Sequence, residues 1–151
     1  MENNQIENLP NSNQIDSGIE TKWQLEVTTL LKNLLYPSES DEPIEWVSFQ
    51  SSVLPPLTVS DLEFYQGFPP EVYVEEIAVE SFWKPVITIE EWYEEGERVQ
   101  VEKFLELKLL LETNLKNLQV FRAGQIEIDL YLLGQINENE WGGLKTKLIE
   151  T

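Results

Sequence analysis

Apolar residues fall along the second half of the chain in two different rhythms. Between Glu97 and Leu118 they recur at Val101, Phe104, Leu105, Leu107, Leu111, Leu115 and Leu118, the spacing that draws one stripe along an α-helix. Between Gln125 and Leu132 they alternate, which places Ile126, Ile128, Leu130 and Leu132 on one side of a strand. Ala123-Gly124 divides that strand from another before it, and a last strand is expected from Leu144 to Ile149, entered through a turn at Gly142-Gly143. Thr88-Ile-Glu-Glu-Trp-Tyr-Glu-Glu95 reads as a capped helix start ahead of the long helix. A helix with one apolar stripe and a sheet with one apolar face bury each other, so the remaining chain is expected to pack around this unit.

Upstream the pattern is more broken. Trp23, Val27, Leu30, Leu31, Leu34 and Leu35 keep helical spacing and predict a helix ending near Tyr36-Pro37, with Ser17-Gly-Ile-Glu20 as its capping box. Ser38-Glu-Ser-Asp-Glu-Pro43 is a loop by composition, either a solvated turn or an acidic contact loop. Ile44 to Phe49 reads as a strand apolar in places on both faces, hence covered on both. Thr58-Val-Ser-Asp61 predicts a short helix through Tyr65 that stops at Gly67. Val72 to Val79 is a further strand, and Ser81-Phe-Trp-Lys-Pro-Val86 a connector whose two aromatics plug the core or, if exposed, form a binding patch. The order is helix, strand, helix, strand, two helices and three strands, without a repeat. It predicts an α+β fold with a largely antiparallel sheet between helix layers.

Composition narrows this picture. A chain of 151 residues suits one domain, expected over residues 17–151, behind a polar stretch. Met1 to Asp16 is rich in Asn, Gln and Glu and lacks the basic start and apolar centre of a secretion signal. It is expected to be a disordered tail and the protein cytoplasmic. No apolar run approaches the roughly 20 residues of a membrane span. Acidic residues outnumber basic ones 28 to 10, for a formal net charge of −18. Such a surface repels nucleic acid and anionic lipid and attracts basic proteins, although on charge alone plain solubility is the favoured reading. The chain has neither cysteine nor histidine, which removes thiol chemistry, the usual general base and the commonest metal ligand. Enzymatic function is disfavoured accordingly, and no cofactor is expected.

Two clusters remain as candidate chemistry. Glu127 and Asp129 share a strand face and could bind a metal, but Lys145 and Lys147 on the last strand explain all four residues as a cross-strand ladder. Glu90, Glu91, Glu94, Glu95 and Glu97 surround Trp92 and Tyr93. Acidic residues in a first helical turn complement the helix dipole, while an exposed Trp in an acidic frame has the composition of a hot spot for a basic partner.

Glu91-Trp-Tyr-Glu-Glu95, Asn114-Leu-Lys-Asn117, Gln119-Val-Phe-Arg122, Ile126 to Leu132 and the ending Thr146-Lys-Leu-Ile-Glu-Thr151 together resemble the nuclease A inhibitor family. These are small acidic bacterial proteins that block a sugar-non-specific, magnesium-dependent endonuclease acting on DNA and RNA. The likeness runs from about Ser81 to the last residue, returns in Leu34-Leu-Tyr-Pro-Ser-Glu-Ser40 and fades between Gln50 and Pro70. It implies a three-layer α-β-α sandwich and an interface of separate segments. Glu39 matches an acidic loop residue that pairs with an arginine of the nuclease. Glu91 and Trp92 match an acidic–Trp pair at the contact. Thr151 matches a terminal threonine that completes the shell of the enzyme's magnesium, only in the complex. Glu91 stands where the family has aspartate, which keeps the charge and adds a methylene. The polar extension before Ser17 is longer than the family's.

The function expected is therefore inhibition of a non-specific endonuclease by occlusion of its active site, by a protein that is monomeric when free. A carboxylate-rich surface suits a basic groove holding a hard cation. An acidic adaptor for a different basic partner is the second reading, and a carboxylate-based metal hydrolase the third.

Overall fold

Local capping boxes account for where three of the described helices start. In the computed structural model residues 21–151 are described, so the expected tail over residues 1–16 and the Ser17–Glu20 cap lie outside the described residues. Helix α1 spans Lys22–Leu31 and is capped instead by Thr21, whose hydroxyl accepts the Gln24 amide while the Gln24 side chain accepts the Thr21 amide. It ends several residues before Tyr36. Tyr36 precedes a proline and is driven to extended backbone, and Leu34, Leu35 and Tyr36 are buried, exposed and buried in turn. At these positions helical spacing and strand alternation coincide.

The expected loop that follows is a small hairpin, β1 (Leu35–Pro37) paired with β2 (Asp41–Pro43), with Ser38, Glu39 and Ser40 at its tip. Tyr36 roots it: the ring is buried, the hydroxyl donates to the Phe82 carbonyl, and burial raises the phenol pKa above its ordinary value. Strand β3 (Glu45–Gln50) leads to helix α2 (Val59–Gln66). That helix has the expected bounds, with Thr58 and Asp61 forming its capping box and Gly67 at φ 70° closing it.

Strand β4 (Val74–Ile77) is shorter than expected, and the expected connector after it is helix α3 (Glu80–Ile87). Pro85 lies inside this helix, where proline removes one amide donor. Burial of Phe82, Trp83 and Val86 holds the helix nevertheless, so both aromatics plug the core. Thr88 ends α3 instead of starting a helix, and its hydroxyl donates to the Lys84 carbonyl. Residues 88–94 are irregular. Helix α4 (Glu95–Asn114) starts on a capping box between Glu94 and Glu97, and stops four residues before Leu118. Its stripe is narrower than the spacing suggested: Phe104, Leu107 and Leu111 are buried, whereas Leu105 is 46% exposed.

Strands β5 (Lys116–Ala123), β6 (Glu127–Asn137) and β7 (Glu140–Ile149) complete a five-stranded sheet of order β3-β7-β6-β5-β4. All neighbours are antiparallel, in keeping with the expected α+β class. The break at Gly124 holds, with φ 111°. Ile126 lies before β6 and is exposed, so the alternating face begins at Ile128. Gly142-Gly143 is a correction: both glycines lie within β7. A Cβ on Gly143 would stand 1.9 Å from the Leu132 carbonyl oxygen, so close strand approach requires glycine there.

Alternation along the sheet feeds two apolar clusters. Val120, Leu130, Leu132 and Leu144 pack with Val27 and Leu31 of α1, Phe82, Trp83 and Val86 of α3, and Phe104, Leu107 and Leu111 of α4. Phe121, Tyr131, Leu133 and Trp141 pack with Leu62 of α2 and Leu57 before it. The expected pairing of the long helix with the Leu130–Leu132 face is present in the first cluster.

Candidate functional site

The hairpin tip and the last residues of the chain build one joint. Strand β7 delivers the chain past Ile149, where the Ile149 amide donates to Ser38 Oγ at 3.1 Å and the Glu39 amide donates to the Ile149 carbonyl at 3.4 Å. The Glu150 amide donates to the Ile126 carbonyl at 2.9 Å. Thr151 then offers two donors to one carboxylate: its amide lies 2.9 Å from Glu39 Oε2 and its hydroxyl 2.8 Å from Glu39 Oε1. Sequence reading singled out Glu39 and Thr151 separately. The fold brings them into direct contact across 112 positions of sequence.

Those two bonds favour the ionised carboxylate and hold the Glu39 pKa below its ordinary value, the Thr151 amide being the larger cause and its hydroxyl the second. For a lowered carboxylate pKa, the linked stabilisation is present above the unfolded value and is lost as pH falls through the folded one. Thr151 will therefore stay tied to Glu39 on acidification down to the ordinary glutamate range, and come free only below it. The Thr151 amide resonance followed against pH tests this, and a midpoint at or above the ordinary glutamate value would contradict it.

Glu91 and Trp92 sit in the turn between α3 and α4, both exposed, with Trp92 keeping 69% of its surface in water. The Tyr93 ring stands edge-on to the Trp92 ring, 4.6 Å between centroids. The Tyr93 amide donates to the Glu90 carbonyl, closing the turn. Only Glu94, Glu95 and Glu97 belong to the start of α4, so the helix dipole does not explain Glu90 and Glu91. These two residues make no contact with Glu39 or Thr151 in the bonds described above. A groove of about 400 Å³ runs between Tyr93 and Glu97 on one side and Leu35 and Asp41 on the other. A second, of about 540 Å³, lies beside Ser38, Glu39 and Glu150, and Pro37 and Pro85 line both.

The candidate pair on the sheet resolves differently. Lys147 stands opposite Asp129 in register, and its Nζ lies 3.8 Å from Glu127 Oε1. Lys145 leaves the expected ladder: it pairs in register with Tyr131 and with Glu45 of β3, and its Nζ lies 5.7 Å from the centre of the Tyr131 ring. The ladder accounts for three of the four residues. Among the described residues no group of three or more carboxylates is placed to hold a metal ion. No helix among them is long and apolar enough to cross a membrane.

Sequence reading missed Ser38 and Arg122 as parts of this joint. Arg122 Nη2 lies 2.9 Å from Glu150 Oε1 and Nε lies 3.8 Å from Glu75 Oε2. A basic residue inside a strand of an acidic chain was the available signal, but its partners are set by strand order. Residues 21–151 match the family model described as nuclease A inhibitor-like protein. No curated protein matches the chain.

Proposed function

The chain belongs to the nuclease A inhibitor-like family, and from that premise we propose that it inhibits a sugar-non-specific, magnesium-dependent endonuclease by occluding the active site. The observation that carries this reading is the Glu39–Thr151 joint. It presents carboxylate and hydroxyl oxygens at a fixed place on a chain of net charge −18, where a nuclease presents a basic groove and a hard cation. Glu39 and Glu91 meet basic residues of the enzyme, Trp92 is the apolar anchor between them, and Thr151 supplies oxygen to the enzyme's magnesium. The metal belongs to the nuclease; the inhibitor brings none. The protein acts as a cytoplasmic monomer and catalyses nothing itself.

The test is direct: a magnesium-dependent, sugar-non-specific endonuclease digests DNA with and without the purified chain. Digestion that stops at a one-to-one ratio is the expected result. Binding without loss of digestion would favour the second reading, an acidic adaptor using the exposed Trp92 face. Charge adds an expectation about kinetics. Complementary fields raise the association rate and are screened by salt, with a Debye length of about 10 Å at 0.1 M. Raising ionic strength will slow association far more than it speeds release. Stopped-flow association that stays flat from low to high salt removes steering from this account.

A further inference from the structure

We infer that Arg122 is a positioning residue for the inhibitory end segment, acting through Glu150 on Thr151; the inference rests on the proposed role of Thr151. Only two residues follow strand β7, and each is held by side chain and backbone alike. The Glu150 amide is fixed to Ile126 and its carboxylate to Arg122, and both Thr151 donors are fixed to Glu39. Three separate parts of the fold therefore grip the segment: the β1–β2 tip, the start of β6, and β5 through Arg122.

The charges give Arg122 its weight. Glu75 and Glu150 both meet Arg122, and Glu39 lines the same groove as Arg122 and Glu150, so the arginine offsets repulsion among acidic neighbours. Arg122 is one of only two arginines in the chain and is placed between Glu75 and Glu150. Its planar fork carries several donors, so it can hold Glu150 while still meeting Glu75. It also springs from β5, and at Arg122 that strand is paired on both sides, with Glu75 and with Leu130. A ligand arm anchored to such a strand is ordered before binding, which lowers the ordering cost of the complex.

The bland alternative is a surface ion pair with no consequence for inhibition. Arg122→Ala and Glu150→Ala, with Arg122→Lys as the conservative variant, separate the two. Each is assayed against a magnesium-dependent, sugar-non-specific endonuclease, alone and combined with deletion of Thr151. Melting temperature and the Thr151 backbone order parameter are measured on the free protein. Arg122→Ala and Glu150→Ala should each raise the inhibition constant about tenfold, with Arg122→Lys recovering part of the loss. The order parameter should fall from near 0.85 towards the flexible range below about 0.6, with little change in melting temperature. In the Thr151 deletion the same substitutions should add nothing, because a positioning residue acts only through what it positions. An unchanged Thr151 order parameter overturns the inference, as does a tenfold loss that persists without Thr151, which would mean that Arg122 touches the partner itself. If deleting Thr151 weakens inhibition while Arg122→Ala does not, the inference fails and the role of Thr151 stands. If deleting Thr151 changes nothing, that role fails first and the inference with it.

Discussion

Deleting Thr151, or appending a few residues after it, will weaken inhibition by about 30-fold or more while leaving the melting temperature nearly unchanged. Truncating a hot-spot residue costs about 2 kcal/mol or more in binding, and every 1.4 kcal/mol is about tenfold. The fold has little to lose, because Thr151 is exposed and, among the described residues, its hydrogen bonds go to an exposed glutamate. What the deletion removes is an oxygen donor held in place by Glu39 at the end of a ten-residue strand. Magnesium takes oxygen ligands and keeps open positions in a nuclease site, so a fixed hydroxyl can complete its shell. The loss should shrink when magnesium is withdrawn and binding alone is measured. Parent-like inhibition by both variants would leave Glu39 and Trp92 to account for the activity unaided.

Truncating Trp92 and truncating Trp83 will have opposite consequences. Trp92 is 69% exposed and Trp83 1% exposed. Trp92→Ala should stay within about 0.5 kcal/mol of the parent in stability and lose about 2 kcal/mol or more in binding. Glu39→Ala should behave in the same way. Trp83→Ala should lose about 3–5 kcal/mol of stability, since it empties a site packed by α3, α4 and the sheet. Its folded fraction should still inhibit normally. Thermal melts read beside inhibition curves decide the matter. A Trp92→Ala protein that melts far lower while its folded fraction inhibits like the parent would place Trp92 in the core role and take it from the interface.

Helix α2 and the Gly124 break were legible because their causes are local: a Thr with an Asp three residues on, and glycines at positive φ. The errors arose where one local pattern fits two structures. Leu34-Leu35-Tyr36 satisfies helical spacing and strand alternation at once, and Pro37 together with pairing of Tyr36 to Glu42 across the hairpin selects the strand. Pro85 signals a break by itself, yet three buried neighbours outweigh the bond it removes. Gly142-Gly143 has the composition of a turn, yet it pairs on both sides as strand, and glycine is needed at Gly143 because the Leu132 carbonyl lies too close for a side chain.

The sequence by itself determined the family through its resemblance, the α+β class, the acidic field, and, through the same resemblance, the four residues Glu39, Glu91, Trp92 and Thr151 as candidates. The class and the field depend on residue type and on spacing over a few positions, whereas the four candidates rest on the family resemblance. Only the tertiary structure decided that Glu39 and Thr151 touch, that Arg122 reaches Glu150, and that Lys145 turns to Tyr131 instead of an acidic rung. These contacts join residues 14 to 112 positions apart, with Lys145 facing Tyr131 the nearest of them in sequence. Strand order and register choose such partners, and both follow from how the whole sheet buries its two faces, which no short window of sequence contains.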